Sequence, residues 1–249
     1  MKKPVIPTLL AASVVLLGII VYGLVFVGDT NPSNTKEKAF SLDLLPKEVA
    51  ADDNPVSSDV MERLILILVN KSNRLPDDFE VDLTSVGDAR VASILLNDLI
   101  EMRNAATSDG VSLFITSGYR TAEEQEYIFN VTVANFVNQG YSEYLARDMA
   151  ALPGYSEHQT GLAIDFSGGD NQDAMWTWLF NNAYRFGFIQ RYPEGGRRAT
   201  DYQYEPWHYR YVGKEHAKKI FELGVTLEEY LGISNDGSYQ SPGQPGREL

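Results

Sequence analysis

No charged residue interrupts the chain between Val5 and Val27. The run is broken only by Pro7, Thr8, Ser13, two glycines and Tyr22, and it follows a basic start, Met1-Lys2-Lys3. At a rise of about 1.5 Å per residue, such a helix crosses roughly 30 Å of hydrocarbon. The apolar stretch is longer than the core of a cleavable signal peptide, and Gly23 to Asp29 is a poor small-x-small cleavage site. Residues 1–28 are therefore expected to form an uncleaved signal-anchor helix, with Lys2 and Lys3 on the cytoplasmic side and the rest of the chain outside the cell membrane. Cleavage, with secretion, is the minority reading. Residues 29–59 are polar and punctuated by Pro32 and Pro55, which suits an extracytoplasmic stalk. Residues 233–249 carry Gly237, Pro242, Gly243, Pro245 and Gly246, and read as a disordered tail. The interval 60–232 is left as a single domain.

Composition narrows what that domain does. The 249 residues hold 21 Lys+Arg against 34 Asp+Glu, a formal charge of −13, which argues against nucleic acid as a partner. The folded part has no electrostatic reason to dock on anionic lipid, so any membrane partnership runs through the N-terminal helix. No cysteine is present, which excludes disulfides, thiolate metal sites and cysteine nucleophiles. A hydrophobic content of 44% is ample for a packed core.

Hydrophobic spacing predicts a helix from Asp59 through Val69, a second over Val91–Ala105, and a third capped by Thr121 with Glu123 and Glu124 in its first turn. Val111–Thr116 and Leu162–Phe166 read as strands. So do Phe186–Ile189 and Tyr209–Val212, followed by a helix over Lys214–Leu223. Helices at both ends with strands gathered between them predict an α+β fold.

Only three histidines occur in the chain. His158 lies in Ser156-Glu157-His158-Gln159-Thr160-Gly161-Leu162-Ala163-Ile164-Asp165, and His208 lies in Glu205-Pro206-Trp207-His208. Asp165 falls inside an apolar strand, which is costly unless it is paired or bound to metal. Imidazole nitrogens and a carboxylate suit Zn²⁺, with three protein ligands and a fourth position for water. His158, Asp165 and His208 could be those ligands, and Glu205 would be free to take a proton from the bound water. A core histidine beside Trp207 and an ordinary surface Glu205 explain the same residues equally well. Residues 158 and 165 differ by an odd number, so a turn near Gly161 is required for both to reach one ion. His216, among lysines of the last helix, reads as solvated surface. Arg120, after the turn Ser117-Gly118-Tyr119, is placed to clamp a carboxylate or an oxyanion. Two histidines and a carboxylate also make the ligand set of non-haem iron oxygenases, although the placing of Glu205 three residues before His208 weighs against that class.

Ser117-Gly118-Tyr119-Arg120, Ser156-x-His158-x-x-Gly161-x-Ala163-x-Asp165 and Glu205-x-Trp207-His208 together resemble the VanY-type D-alanyl-D-alanine carboxypeptidases. These belong to a wider group of zinc peptidases that includes lysostaphin-type enzymes and the hedgehog domain. The resemblance extends over residues 60–232. It implies a small antiparallel sheet flanked by helices, with zinc as cofactor held by His158, Asp165 and His208. It further implies Glu205 as catalytic base and Arg120 as the group that steadies the oxyanion or the substrate. Gln125 and Ser156 occupy positions where the family contacts the peptide. The implied reaction is removal of the C-terminal D-alanine from peptidoglycan stem peptides, in the D,D or the L,D sense. The alternatives are a peptidoglycan endopeptidase and a non-catalytic wall-binding module on the same fold.

Overall fold

The computed structural model describes residues 58–233. The expected membrane helix, nearly all of the stalk and the tail lie outside them. Among the described residues, no helix is long and apolar enough to cross a membrane. The chain divides into two compact units between Leu64 and Ile65; apart from the helix that ends at this boundary, everything discussed below belongs to the second.

Helix α1 (Ser58–Ile65) ends four residues before the expected Val69. The reason is a competing donor. The Arg210 guanidinium binds the carbonyls of Ile65 and Ile67 at 3.1 and 2.8 Å, which a continuing helix would have needed for its own amides. The next difference is a hairpin, β1 (Leu83–Val86) and β2 (Ala89–Ala92), where the sequence pattern assigns residues 83–90 no element and begins a helix at Val91. Its turn is Gly87-Asp88, with Gly87 at φ 62, a tight-turn signal that the apolar run through Val91 obscured. Helix α2 (Leu96–Ser108) follows.

Strand β3 (Phe114–Ser117) leads to α3 (Ala122–Asn138). The Thr121 hydroxyl accepts from the Glu124 amide while the Glu124 carboxylate accepts from the Thr121 amide, so the expected cap is a full capping box. Helix α4 (Glu143–Asp148) packs on α3 through Phe129, Val133, Phe136 and Ala146. Strand β4 (Ala163–Ser167), helix α5 (Gln172–Asn182) and strand β5 (Phe188–Gln190) come next. The short helix α6 (Arg197–Thr200) precedes β6 (His208–Tyr211). Helix α7 (Lys214–Leu223) falls where expected, and α8 (Leu227–Leu231), capped by Thr226, closes the domain.

Four strands form one antiparallel sheet in the order β3-β4-β6-β5. The fold is α+β, as expected. Side chains alternate across a sheet, and here the alternation separates structure from chemistry. Ile164 and Phe166 of β4 and Tyr209 and Tyr211 of β6 enter the main core, against Leu95 just before α2, Leu99 and Met102 of α2, and Met175 and Leu179 of α5. Asp165, His208 and Arg210 alternate with them and face the other side. Both faces of these strands are covered, so the polar row is buried too.

Gly161 joins the metal-type motif to the sheet. It adopts φ 70, and an added Cβ would lie 3.0 Å from both the Ala92 amide nitrogen and a Leu83 methyl. Gly161→Ala should therefore destabilise the domain by about 1–3 kcal/mol, through strain and crowding together. A thermal melt should show this as a fall of several degrees.

Candidate metal centre and active site

Sheet register does the first part of the assembly. Asp165 on β4 lies directly opposite His208 on β6 and Ser117 on β3. A bulge in β3 between Ile115 and Ser117 shifts the register there, and the chain leaves the sheet at Gly118 towards Arg120. His158 comes from outside the sheet. It sits in a single 3-10 turn, Glu157–Thr160, and the left-handed Gly161 then swings the chain into β4. That turn resolves the odd spacing between positions 158 and 165.

The three side chains converge. His158 Nε2 lies 3.3 Å from Asp165 Oδ2, and His208 Nδ1 lies 3.0 Å from Asp165 Oδ1. One ligand atom from each of His158, Asp165 and His208 falls within 4.8 Å of the other two, a group able to hold a metal ion. All three are buried. The protons are placed by the outer partners. His158 Nδ1 sits 2.7 Å from the Gly118 carbonyl, which can only accept, so Nδ1 carries the proton and Nε2 offers its lone pair inward. His208 turns Nδ1 inward and Nε2 outward, towards Glu157 Oε2 at 3.4 Å.

Arg120 reaches the same centre. Its Nη2 lies 3.4 Å from Asp165 Oδ2. Its Nε and Nη2 donate to the Ser117 hydroxyl at 3.1 and 3.0 Å, and its Nη1 donates to Gln125 Oε1 at 3.0 Å. Gln125 is itself buried and donates to the Ala151 carbonyl at 2.8 Å. Gln125 thus anchors the guanidinium. Ser156 is buried and begins the turn that carries His158. Glu205 Oε2 lies 3.9 Å from His208 Nδ1, with its side chain 23% exposed, the most open of the acidic groups at the centre. His216 is remote from this group and bonds Tyr230 Oη at 2.8 Å.

Electrostatics separate the acidic groups. Burial opposes the charge on Asp165, but His158 and His208 outweigh it and hold the carboxyl well below its usual range. Burial raises Glu205 to about 7, because its neighbours do not compensate the desolvation. His208 is raised to about 9 despite burial, through its bonds to Asp165 and Glu157. His158 is lowered, first by burial and then by the Arg120 charge.

Sequence reasoning missed the layer behind His208. Glu157, Arg191, Arg210 and Glu228 are fully or almost fully buried, and their charges balance. Arg191 Nε and Arg210 Nη1 both donate to Glu157 Oε1, at 2.7 and 2.8 Å. Arg191 Nη1 and Nη2 form a two-point bond to Glu228 at 2.8 and 2.6 Å. The available signal was the strand pattern: Arg210 shares a face with His208, two residues away.

With this geometry in view, the comparisons with known proteins are specific. A family described as VanY, D-alanyl-D-alanine carboxypeptidase, matches residues 88–214. The chain belongs to that family. A D-alanyl-D-alanine carboxypeptidase of Enterococcus faecalis is 41% identical over 174 residues, covering 67% of this chain and 65% of the relative. The crystal structure of the vancomycin resistance D,D-pentapeptidase VanY from a VanB-type cassette, in complex with Zn(II), is 41% identical with a TM-score of 0.65. It covers 68% of this chain and 99% of that one. The LD-carboxypeptidase LdcB superposes with a TM-score of 0.58 at 38% identity, over 67% of this chain and 85% of the other. Family membership disposes of the iron-oxygenase reading.

The Glu205 environment gives a testable sign. Its carboxyl titrates near 4.5 in the unfolded chain and near 7 in the folded, metal-free one. The protonated form is favoured on folding, so both states are protonated below 4.5 and stability is lost as pH rises from there through 7. Glu205→Gln removes that loss. Metal-free Glu205→Gln should melt several degrees above wild type at pH 8, and the gap should shrink at pH 5.

Proposed function

We propose that the domain is a zinc carboxypeptidase that removes the C-terminal D-alanine from peptidoglycan stem peptides. The carrying observation is the convergence of His158, Asp165 and His208, with Glu205 beside the last of them, in a VanY-family chain. The donor set fits zinc: two imidazole nitrogens and one ionised carboxylate, directed at one point, with His208 giving up its second proton as the ion binds and no fourth protein ligand in the group. His158 would bind through Nε2 and His208 through Nδ1. When bound, the ion lowers the pKa of a coordinated water and polarises a carbonyl.

The remaining work falls to side chains. Glu205, exposed on one side, takes the proton from the attacking water and returns it to the leaving amine. Arg120, fixed by Ser117 and Gln125, offers its guanidinium to the developing oxyanion or to the terminal carboxylate of the substrate. Gln125 contributes through Arg120, and Ser156 contributes a contact to the peptide backbone. The stacked rings of Tyr192 and Tyr202, 4.4 Å apart, wall the centre on the His208 side, with Tyr192 4.9 Å from that imidazole.

The location follows from the substrate. A charge-free run from Val5 to Val27 behind Lys2 and Lys3 supports a single membrane anchor, with the domain outside the cytoplasmic membrane where the wall polymer lies. Cell fractionation should find the full chain in the membrane pellet, sensitive to external protease after wall removal. Recovery in the cytosol would refute this.

Incubation of zinc-loaded chain with synthetic stem pentapeptide and tetrapeptide, followed by mass analysis, tests the reaction. Wild type should release D-alanine. Consumption of pentapeptide marks D,D cleavage and consumption of tetrapeptide marks L,D cleavage. Glu205→Ala should retain zinc while losing about 10²–10⁴-fold in turnover. Arg120→Ala should lose about 10²–10³-fold in kcat/KM, also with zinc retained. Cleavage inside a cross-linked dimer with no free D-alanine would favour the endopeptidase reading. Full activity in Glu205→Ala would overturn the mechanism.

A further inference from the structure

The 3-10 turn Glu157–Thr160 carries two neighbouring side chains to opposite sides of His208. His158 goes to the metal centre. Glu157 goes behind it, into the buried charge cluster. Its two oxygens are divided. Oε1 receives both guanidiniums, Arg191 Nε at 2.7 Å and Arg210 Nη1 at 2.8 Å. Oε2 is left to His208 Nε2 at 3.4 Å. With two arginines on one side, Glu157 presents an acceptor to the imidazole on the other.

We propose that Glu157 is a positioning residue for the metal centre: by accepting the His208 Nε2 proton it fixes the tautomer whose Nδ1 lone pair faces the ligand point. An imidazole must leave one nitrogen unprotonated to bind metal, and the partner of the other nitrogen decides which. For His158 that partner is the Gly118 carbonyl. For His208 it is a side chain, so the arrangement can be altered by one substitution. The arginines are in turn held from outside the sheet. Arg210 Nη2 is fixed by the Ile65 and Ile67 carbonyls, and Arg191 by Glu228 of α8.

Glu157→Gln has a defined consequence. The amide oxygen must face the two guanidiniums, which turns the NH2 group towards His208 Nε2. That nitrogen then has to accept, and the proton moves to Nδ1, where it competes with the metal. The inference rests on the ligand assignment above, but neither readout uses peptide turnover. A protein that binds zinc and cuts no stem peptide would leave it standing.

The test uses the full chain with ¹⁵N-labelled histidine, which gives only three imidazoles to resolve. Chelator competition should show zinc bound about 10–100-fold more weakly in Glu157→Gln than in wild type. Long-range ¹H–¹⁵N spectra of the metal-free variant should show His208 as the Nδ1–H tautomer. Glu228→Gln removes a charge from the same cluster but leaves the Glu157–His208 contact, and should keep zinc affinity within about twofold. Equal loss in Glu228→Gln, or unchanged zinc affinity in Glu157→Gln, would overturn the proposal. If Glu157→Gln does not fold, wild type loaded with ¹¹³Cd decides. Coupling from cadmium to His208 Nδ1 with a slowly exchanging Nε2–H supports the proposal, and coupling to Nε2 sinks it.

Discussion

The carboxylate of Asp165 sits in the middle of a central strand, buried between two covered faces. An isolated charge in such a place costs several kcal/mol, and folding tolerates it only when donors surround it. Here they come from three directions. His208 lies across the strand pair, His158 comes from the preceding turn, and Arg120 comes from the turn after β3. Each approach needs its own backbone device: the register of β4 on β6, the left-handed Gly161, and the bulge before Gly118. An added Cβ at Gly118 would run into the Arg90 carbonyl. The geometry that would hold an ion is therefore the same geometry that makes Asp165 tolerable in the sheet.

Behind this centre the domain repeats the problem at larger scale. Two arginines and two glutamates share one buried volume. Replacing such a cluster with apolar side chains often stabilises a protein, so its presence is weak evidence for stability. What it supplies is geometry. Arg210 captures the Ile65 and Ile67 carbonyls where α1 ends, and Glu228 ties α8 to Arg191. Asn70 adds to the same tie, donating to Glu228 at 3.1 Å while its own oxygen receives the amides of Ser72 and Asn73. The two ends of the domain are thus fastened to the layer that touches His208, which is a structural reason for the enzyme-like core to extend from residue 65 to α8.

Local signals were legible where they act locally. The Thr121 capping box, helix α7 and the strand around Asp165 follow from cap chemistry and periodicity alone. The metal-type group and Glu205 were legible through three motifs that together resemble one family, whereas the residues alone left a core histidine and a surface carboxylate equally open. What could not be read was set by distant partners. Helix α1 stops at Ile65 because of an arginine 145 positions away. The hairpin β1–β2 forms because Ala92 donates to the Gly161 carbonyl at 2.9 Å and Ser93 to the Asp82 carbonyl at 2.8 Å. Gln125 is placed by resemblance alone, and its bond to the Arg120 guanidinium can be read only from the structure. Glu157, next to a marked histidine, carries no signal of its own until Arg191 and Arg210 are brought to it.

His208 stands between two glutamates, and their surroundings assign them opposite tasks. Glu157 is buried, but Arg191 and Arg210 overcome that burial and keep it charged. It can do nothing but accept. Glu205 is partly open and, among the described residues, has no guanidinium bonded to it. Burial lifts it to about 7, where it exchanges a proton readily near neutral pH. A bound dication would lower that value, and the group would then wait as a base beside an acidified water. Two identical side chains on the two sides of one imidazole are thus separated by their neighbours alone into a fixed acceptor and, in the proposed mechanism, a proton carrier. Exchanging their roles would require moving the arginines, and those are locked to the ends of the domain.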